Sequence, residues 1–296
     1  MRGLPPATRA GLLLAMSCGP AVVGLALLIL SLSPSLAHLL GLGADHCQAH
    51  GHHTHFCLLH TPLLTGTDLE RLILSATGIA ILVLGAGSFF RLRRVRRVVH
   101  ALGTAQVPDP VHRPYRVVDS DIAFALTAGL VRPAIYLSSG LLKALSPAEL
   151  AVVVGHEHAH RQRRDALRSF IADLLSRLHL PPIRRRLLAD LYLASEQACD
   201  EHAVLPVGDR LCVAETILKV VRLSAGAPPA SDTLLPTVTG SEVAARIDAL
   251  LYPARTSSGR PGLSALSGAV LLAIGGYVYT DELHHAVESA LHLLLR

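Results

Sequence analysis

The sequence contains no tryptophan, and only 4% of its residues are aromatic. Small aliphatic residues take their place: 51% of the 296 residues are hydrophobic and the mean hydropathy is +0.44. That balance excludes an ordinary soluble protein and points to a membrane protein. Residues 11–33 form an uncharged run broken only by Pro20, long enough to cross a hydrocarbon core of roughly 30 Å. Residues 72–90 form a second run, and residues 263–279 a third, shorter one. No clear small-x-small cleavage site follows the first run, which argues against a removed signal peptide. Lys and Arg are missing from residues 34–70, whereas Arg2, Arg9, Arg91, Arg93, Arg94, Arg96, Arg97, Arg255 and Arg260 flank the runs elsewhere. By the excess of basic residues on the cytoplasmic side, 34–70 lies outside and about 91–261 inside. Aromatic residues are absent from the arginine run at 91–97, so the net charge of +5 reflects membrane flanking and not direct nucleic-acid binding.

The clearest chemistry sits in Gly155-His156-Glu157-His158-Ala159-His160. Ser146-Pro147-Ala148-Glu149 reads as a capping box with proline at the first helical position, so a helix is expected from Ser146 to about Arg164. Val153 and Val154 continue an apolar face into His156. His156 and His160 are then one turn apart on the same face, with Glu157 beside them. A composition with 17 His would give His-Glu-x-x-His by chance roughly 0.03 times per chain. Zinc held by two imidazoles and one further ligand keeps a position open for water and lowers its pKa to about 7, with a nearby carboxylate to take the proton. A solvated surface helix is the plainer alternative.

Short strands are expected at 116–119 and 134–138, with 122–126 as a third, punctuated by Gly129 and Pro133. An edge of this sheet can hold an extended peptide by main-chain hydrogen bonds. Leu167, Phe170, Ile171, Leu174, Leu175 and Leu178 repeat at helical spacing and end at Pro181-Pro182, a core stripe or one that rests on the membrane surface. A further helix is expected from 184 to about 205. It carries Glu196 and Asp200 one turn apart, read as the third zinc ligand and the carboxylate that orients a ligand histidine. Cys199 adjoins them, and packing outweighs a redox or metal role there.

These motifs, with Arg163-Arg164-Asp165, Ala123-Phe124-Ala125, Pro133-Ala134-Ile135-Tyr136-Leu137-Ser138 and Arg246-Ile247, resemble the membrane zinc metallopeptidases that include the BlaR/MecR-type β-lactam sensor-transducers. Those proteins are gluzincins related to HtpX and CAAX-type membrane proteases. The resemblance spans roughly residues 85–252. It implies a zincin-like α+β peptidase domain with a small sheet at about 91–261; the three hydrophobic runs make the whole a mainly α membrane protein with three transmembrane helices, where the β-lactam receptors have four. A transmembrane hairpin (1–90) precedes that domain, and a third span with a short tail (262–296) follows it. It also implies His156, His160 and Glu196 as ligands of one catalytic Zn²⁺ and Glu157 as general base, in a multi-pass protein of the bacterial inner membrane. The implied substrate is a cytoplasmic protein, a winged-helix repressor of the BlaI/MecI type, with membrane-protein quality control as the rival role. Two further features depart from the pattern. Only 17 residues follow Tyr279, so no penicillin-binding sensor domain is expected. Thr237-Val238-Thr239 lacks the histidine that related proteases carry ahead of Arg-Ile, which leaves Arg246 as the candidate oxyanion stabiliser.

Residues 45–60 hold six histidines and two cysteines, including His46, Cys47, His50, His52, His53, His55 and Cys57. Such a tract in an outside loop suits a second metal, Zn²⁺ or copper, and a metal-sensing role without catalysis is a further alternative. A solvated loop pinned by a Cys47–Cys57 disulfide in an oxidising compartment is the plainer alternative. Imidazole protonation offers an acid sensor instead.

Overall fold

The computed structural model describes residues 4–41, 68–107, 113–224 and 240–253. Within them the chain is mainly helical with one small sheet. Two long helices come first, α1 (Pro6–Leu39) and α2 (Asp68–Thr104). The expected first and second spans lie inside them, and α1 continues to Leu39, past the loop start expected at residue 34. Among the described residues, one helical segment is long and apolar enough to cross a membrane, the 21 residues of Pro6–Ala26. The third expected span, the histidine-rich tract and its two cysteines lie outside the described residues.

The chain divides into two compact units, Met1–Pro20 with Ser88–Ser257, and Ala21–Gly87 with Ser258–Arg296. Of the second unit, the described residues are helical apart from residues 40 and 41, and expose Val22, Val23, Leu25, Ile29, Ile79, Leu82 and Val83. The first unit holds every element that follows.

Its sheet comprises β1 (Arg116–Val118), β2 (Ala125–Ala128) and β3 (Ala134–Ser138) in the order β1-β3-β2. Ile135, Tyr136, Leu137 and Ser138 of the central β3 are all buried, the continuous pattern of a strand covered on both faces. β2 pairs antiparallel with β3, placing Thr127 opposite Ile135, and β1 pairs parallel. The strand expected at 122–126 therefore starts three residues later and ends two later. Gly129 makes the β2–β3 turn at φ +112°, where an added Cβ would meet the Arg132 carbonyl oxygen at 2.8 Å. Glycine alone takes that backbone without strain.

After β3 come α3 (Ser139–Ala144) and α4 (Pro147–Arg163). The capping box at the start of α4 is formed in both directions: Glu149 N–H donates to Ser146 Oγ, and Ser146 N–H donates to Glu149 Oε2 at 2.7 Å. At the far end Arg164 takes φ +53°, ends α4 and opens α5 (Asp165–Leu175), which continues into a 3₁₀ turn at Ser176–Leu178. The next helix, α6, runs Pro181–Ala203. Pro181 and Pro182 thus begin this helix, where a missing N–H costs nothing, and do not merely end the one before. Then come α7 (Arg210–Ser224) and α8 (Gly240–Leu251).

Helix α4 sits between two of the three buried clusters. Val152 joins Ala203, Val213, Ala214, Ile217, Val243 and Leu250. Val153 joins Ala123, Ile135, Leu137 and Leu141. Full burial of each valine contributes about 1.5–3 kcal/mol, enough that adjacent residues facing opposite cores fix the rotation of the helix. The third cluster joins Ala10 and Leu13 of α1 to Ala172 of α5 and Leu187, Leu188, Leu191 and Ala194 of α6.

Candidate metal centre

Helix α4 packs more extensively on α6 than on any other element. Gly155 permits their approach, because a Cβ there would stand 3.4 Å from Ala203 Cα and 3.3 Å from Pro206 Cγ. The next residue is His156. Across this contact His156, His160 and Glu196 converge into a group that can hold a metal ion. Glu196 Oε2 lies 3.4 Å from His156 Nε2, and Oε1 lies 3.3 Å from His160 Nε2. The two Nε2 atoms are 3.1 Å apart. Two ring nitrogens facing each other at that distance repel unless a proton or cation lies between them. Zinc with ligands about 2.05 Å away would hold two of them roughly 3.3 Å apart, so the donor set and its spacing fit this metal.

Both outer ring nitrogens are already occupied. His156 Nδ1 lies 3.0 Å from Asp200 Oδ1, and His160 Nδ1 lies 3.0 Å from Asp165 Oδ2. A carboxylate at Nδ1 selects the tautomer that leaves Nε2 as the free donor. The structure therefore places Asp200 where an orienting carboxylate is expected, and adds Asp165 in the same role toward the other histidine. Local periodicity gives no sign of this. Five helical residues turn through about 500°, which would carry position 165 to the far side of the helix from His160. The left-handed Arg164 brings it back.

The charges around the group are paired. Arg246 on α8 sends Nε to Asp200 Oδ2 at 2.8 Å and Nη2 to Asp200 Oδ1 at 2.6 Å, while Nη1 lies 3.0 Å from Glu196 Oε2. Arg163 and Arg168 flank Asp165 at 3.2 and 3.5 Å. Burial opposes ionisation of Glu196, but the positive charge of His160, hydrogen bonds from both histidines and Arg246 outweigh it, holding the carboxyl well below its usual range. Burial likewise works against Asp200, and Arg246 with His156 draws it downward. For His160 burial favours the neutral ring, yet Glu196 and Asp165 raise its pKa well above the ordinary value; His156 is raised in the same sense by Asp200 and Glu196. The centre thus favours positive charge at Nε2.

Arg246, expected as an oxyanion stabiliser, directs three nitrogens at carboxylates. That placement suits holding Asp200 and Glu196. A second group, His160, Asp165 and Cys199, also has metal-ligand spacing, with Cys199 Sγ 3.4 Å from His160 Nδ1 and 3.5 Å from Asp165 Oδ2. Two arginines already neutralise Asp165, and burial pushes the Cys199 thiol up to about 11, so the sulfur packs here as a neutral group.

Glu157 is 7% exposed and points toward the sheet. Thr127 Oγ1 lies 2.7 Å from Glu157 Oε2 and 2.9 Å from the Glu157 carbonyl oxygen. Thr127 has no motif of its own; only the β2–β3 pairing brings it here. A second unforeseen link joins α1 to α8. Arg9 donates to Gln197 Oε1, and Gln197 Nε2 donates to the Ala245 carbonyl at 2.8 Å, one residue before Arg246.

Two imidazoles and a carboxylate from two packed helices, with a glutamate beside the first histidine, are a ligand set that a metallohydrolase centre can use. Residues 91–224 match the model of peptidase family M48. Over that segment the chain is similar to a family of metallopeptidases, which are zinc-dependent. The matched segment contains His156, Glu157, His160, Asp165, Glu196 and Asp200, whereas Arg246 lies beyond it. No curated protein matches the chain.

Proposed function

We propose that the chain is a membrane-bound zinc endopeptidase in which His156, His160 and Glu196 hold the metal and Glu157 is the general base. The observation that carries this reading is the convergence of two Nε2 atoms and one carboxylate, with both Nδ1 atoms taken by acids. Zinc bound there supplies a Lewis acid for the scissile carbonyl and for the attacking water. Glu157 takes the water's proton and passes it to the leaving amine. Thr127 anchors Oε2, which leaves Oε1 to face the reacting atoms. Strand β2 is an edge of the sheet among the described residues, and its free main-chain groups suit an extended peptide laid alongside. Arg246 holds Asp200 and Glu196 and is a positioning residue.

The apolar Pro6–Ala26 segment supports a membrane location. The charge pattern supports three spans, at 11–33, 72–90 and 263–279, with the peptidase unit on the cytoplasmic face. The substrate we infer is a cytoplasmic repressor of the winged-helix class, cleaved in response to an outside signal that metal binding at residues 45–60 conveys. Purified protein is expected to carry one zinc per chain, and Glu157→Gln to keep the metal while losing peptide cleavage. Cleavage that survives in this variant excludes Glu157 as base. The same variant, expressed in the native cell, is expected to trap a repressor; recovery only of misassembled membrane proteins would favour quality control.

A further inference from the structure

We infer that the corner formed by the Ser176–Leu178 turn and the first turn of α6 is a wedge that seats in an anionic lipid leaflet beside α1, an inference that rests on the membrane reading above. Leu178, Leu180 and Ile183 are 61, 68 and 48% exposed. Scattered surface leucines need no explanation, but these share their location with apolar residues of two other chain segments. His179 Nε2 lies 3.2 Å from the Met16 carbonyl oxygen of α1, and Met16 is itself 47% exposed. Arg177 donates to Ser88 Oγ at 3.4 Å, next to the exposed Phe89 and Phe90 of α2. Three segments distant in sequence thus present apolar side chains around one corner.

The polar groups there are chosen for an anionic partner. Arg91, Arg177 and Arg184 all pair with the buried Asp173, three guanidinium groups on one carboxylate. The surplus of positive charge is continued by Arg185 and Arg186, both exposed. Leucines projecting past a collar of arginines match the boundary between acyl chains and phosphate headgroups, where arginine forks pair with phosphate oxygens. Met16 falls within Pro6–Ala26, so the corner contacts the candidate span itself. Pro181 and Pro182 stiffen the corner, which reduces the conformational freedom lost when it docks.

The lack of tryptophan makes the test direct. Full-length protein carrying Leu180→Trp, Val22→Trp or Leu205→Trp is reconstituted in nanodiscs, so that each sample has one indole. Quenching by lipids brominated on the upper acyl chain is compared with quenching by aqueous acrylamide. Leu180→Trp is expected to be quenched by lipid and shielded at least threefold from acrylamide relative to Leu205→Trp, with stronger lipid quenching in phosphatidylglycerol than in phosphatidylcholine. If Val22→Trp is quenched by lipid while Leu180→Trp stays open to acrylamide, the wedge fails and the membrane reading stands. If neither is quenched by lipid, the membrane reading itself fails. Shielding of Leu180→Trp from both quenchers identifies a second protein copy as the occupant and overturns the inference. Equal lipid quenching in the two phospholipids overturns the anionic assignment.

Discussion

Arg246 meets the Asp200 carboxylate with two parallel hydrogen bonds, Nε to Oδ2 at 2.8 Å and Nη2 to Oδ1 at 2.6 Å, and both side chains are buried. Asp200 in turn holds His156 Nδ1. Arg246→Lys keeps a positive charge but cannot reproduce the fork and the contact to Glu196 together. Zinc affinity, measured by chelator competition, is expected to fall about 10–100-fold, the usual loss when the support of a metal ligand is removed. An unchanged affinity would remove Arg246 from the centre.

Thr127 offers a test that separates orientation of the base from binding of the peptide. Thr127→Val preserves shape and strand propensity while deleting the donor to Glu157. A hydrogen bond to a charged group is worth about 1.5–3 kcal/mol. Losing it should lower kcat about 10–100-fold with KM and zinc content unchanged. Thr127→Ser should restore most of the rate. Equal rates in the valine and serine variants would assign Thr127 to packing alone.

Acid stability should depend on Glu149. Its carboxyl is held at about 2, first by a side-chain hydrogen bond from Lys219 and then by the Ser146 backbone. Because the folded value lies below the ordinary 4.5, the carboxylate's contribution is complete above about pH 4.5 and is lost as the pH falls toward 2. The stability difference between the native protein and Glu149→Gln, followed by denaturant midpoint in detergent, should shrink through that window. A difference that stays constant from pH 6 to pH 2 would mean that the ion pair with Lys219 adds nothing.

The parts of this architecture that can be read from sequence are those set by neighbours in the chain. Ser146, Pro147 and Glu149 place the start of α4 because cap chemistry spans three residues. His156 and His160 share a face because helix geometry fixes a four-residue offset. The start of strand β2 is misplaced by three residues in the sequence reading because pairing with β3 and the turn at Gly129 decide its register, while Ile122, which looks strand-like, is 46% exposed. The arginines at 184–186 hide the first turn of α6, since they have no apolar period. Thr127 with Glu157 and Asp200 with Arg246 are joined only by tertiary packing, across 30 and 46 residues.

The left-handed Arg164 gives the loop after α4 no slack. Because one residue reverses the path between His160 and Asp165, the spacing of these two is as strict as the four-residue step between the histidines themselves. Inserting or deleting one residue there would leave His-Glu-x-x-His intact on the page and yet strand His160 without its carboxylate. Chains with an unbroken motif but an altered count to this aspartate are therefore expected to be poor zinc binders, and that count can be used to sort working enzymes from degenerate copies.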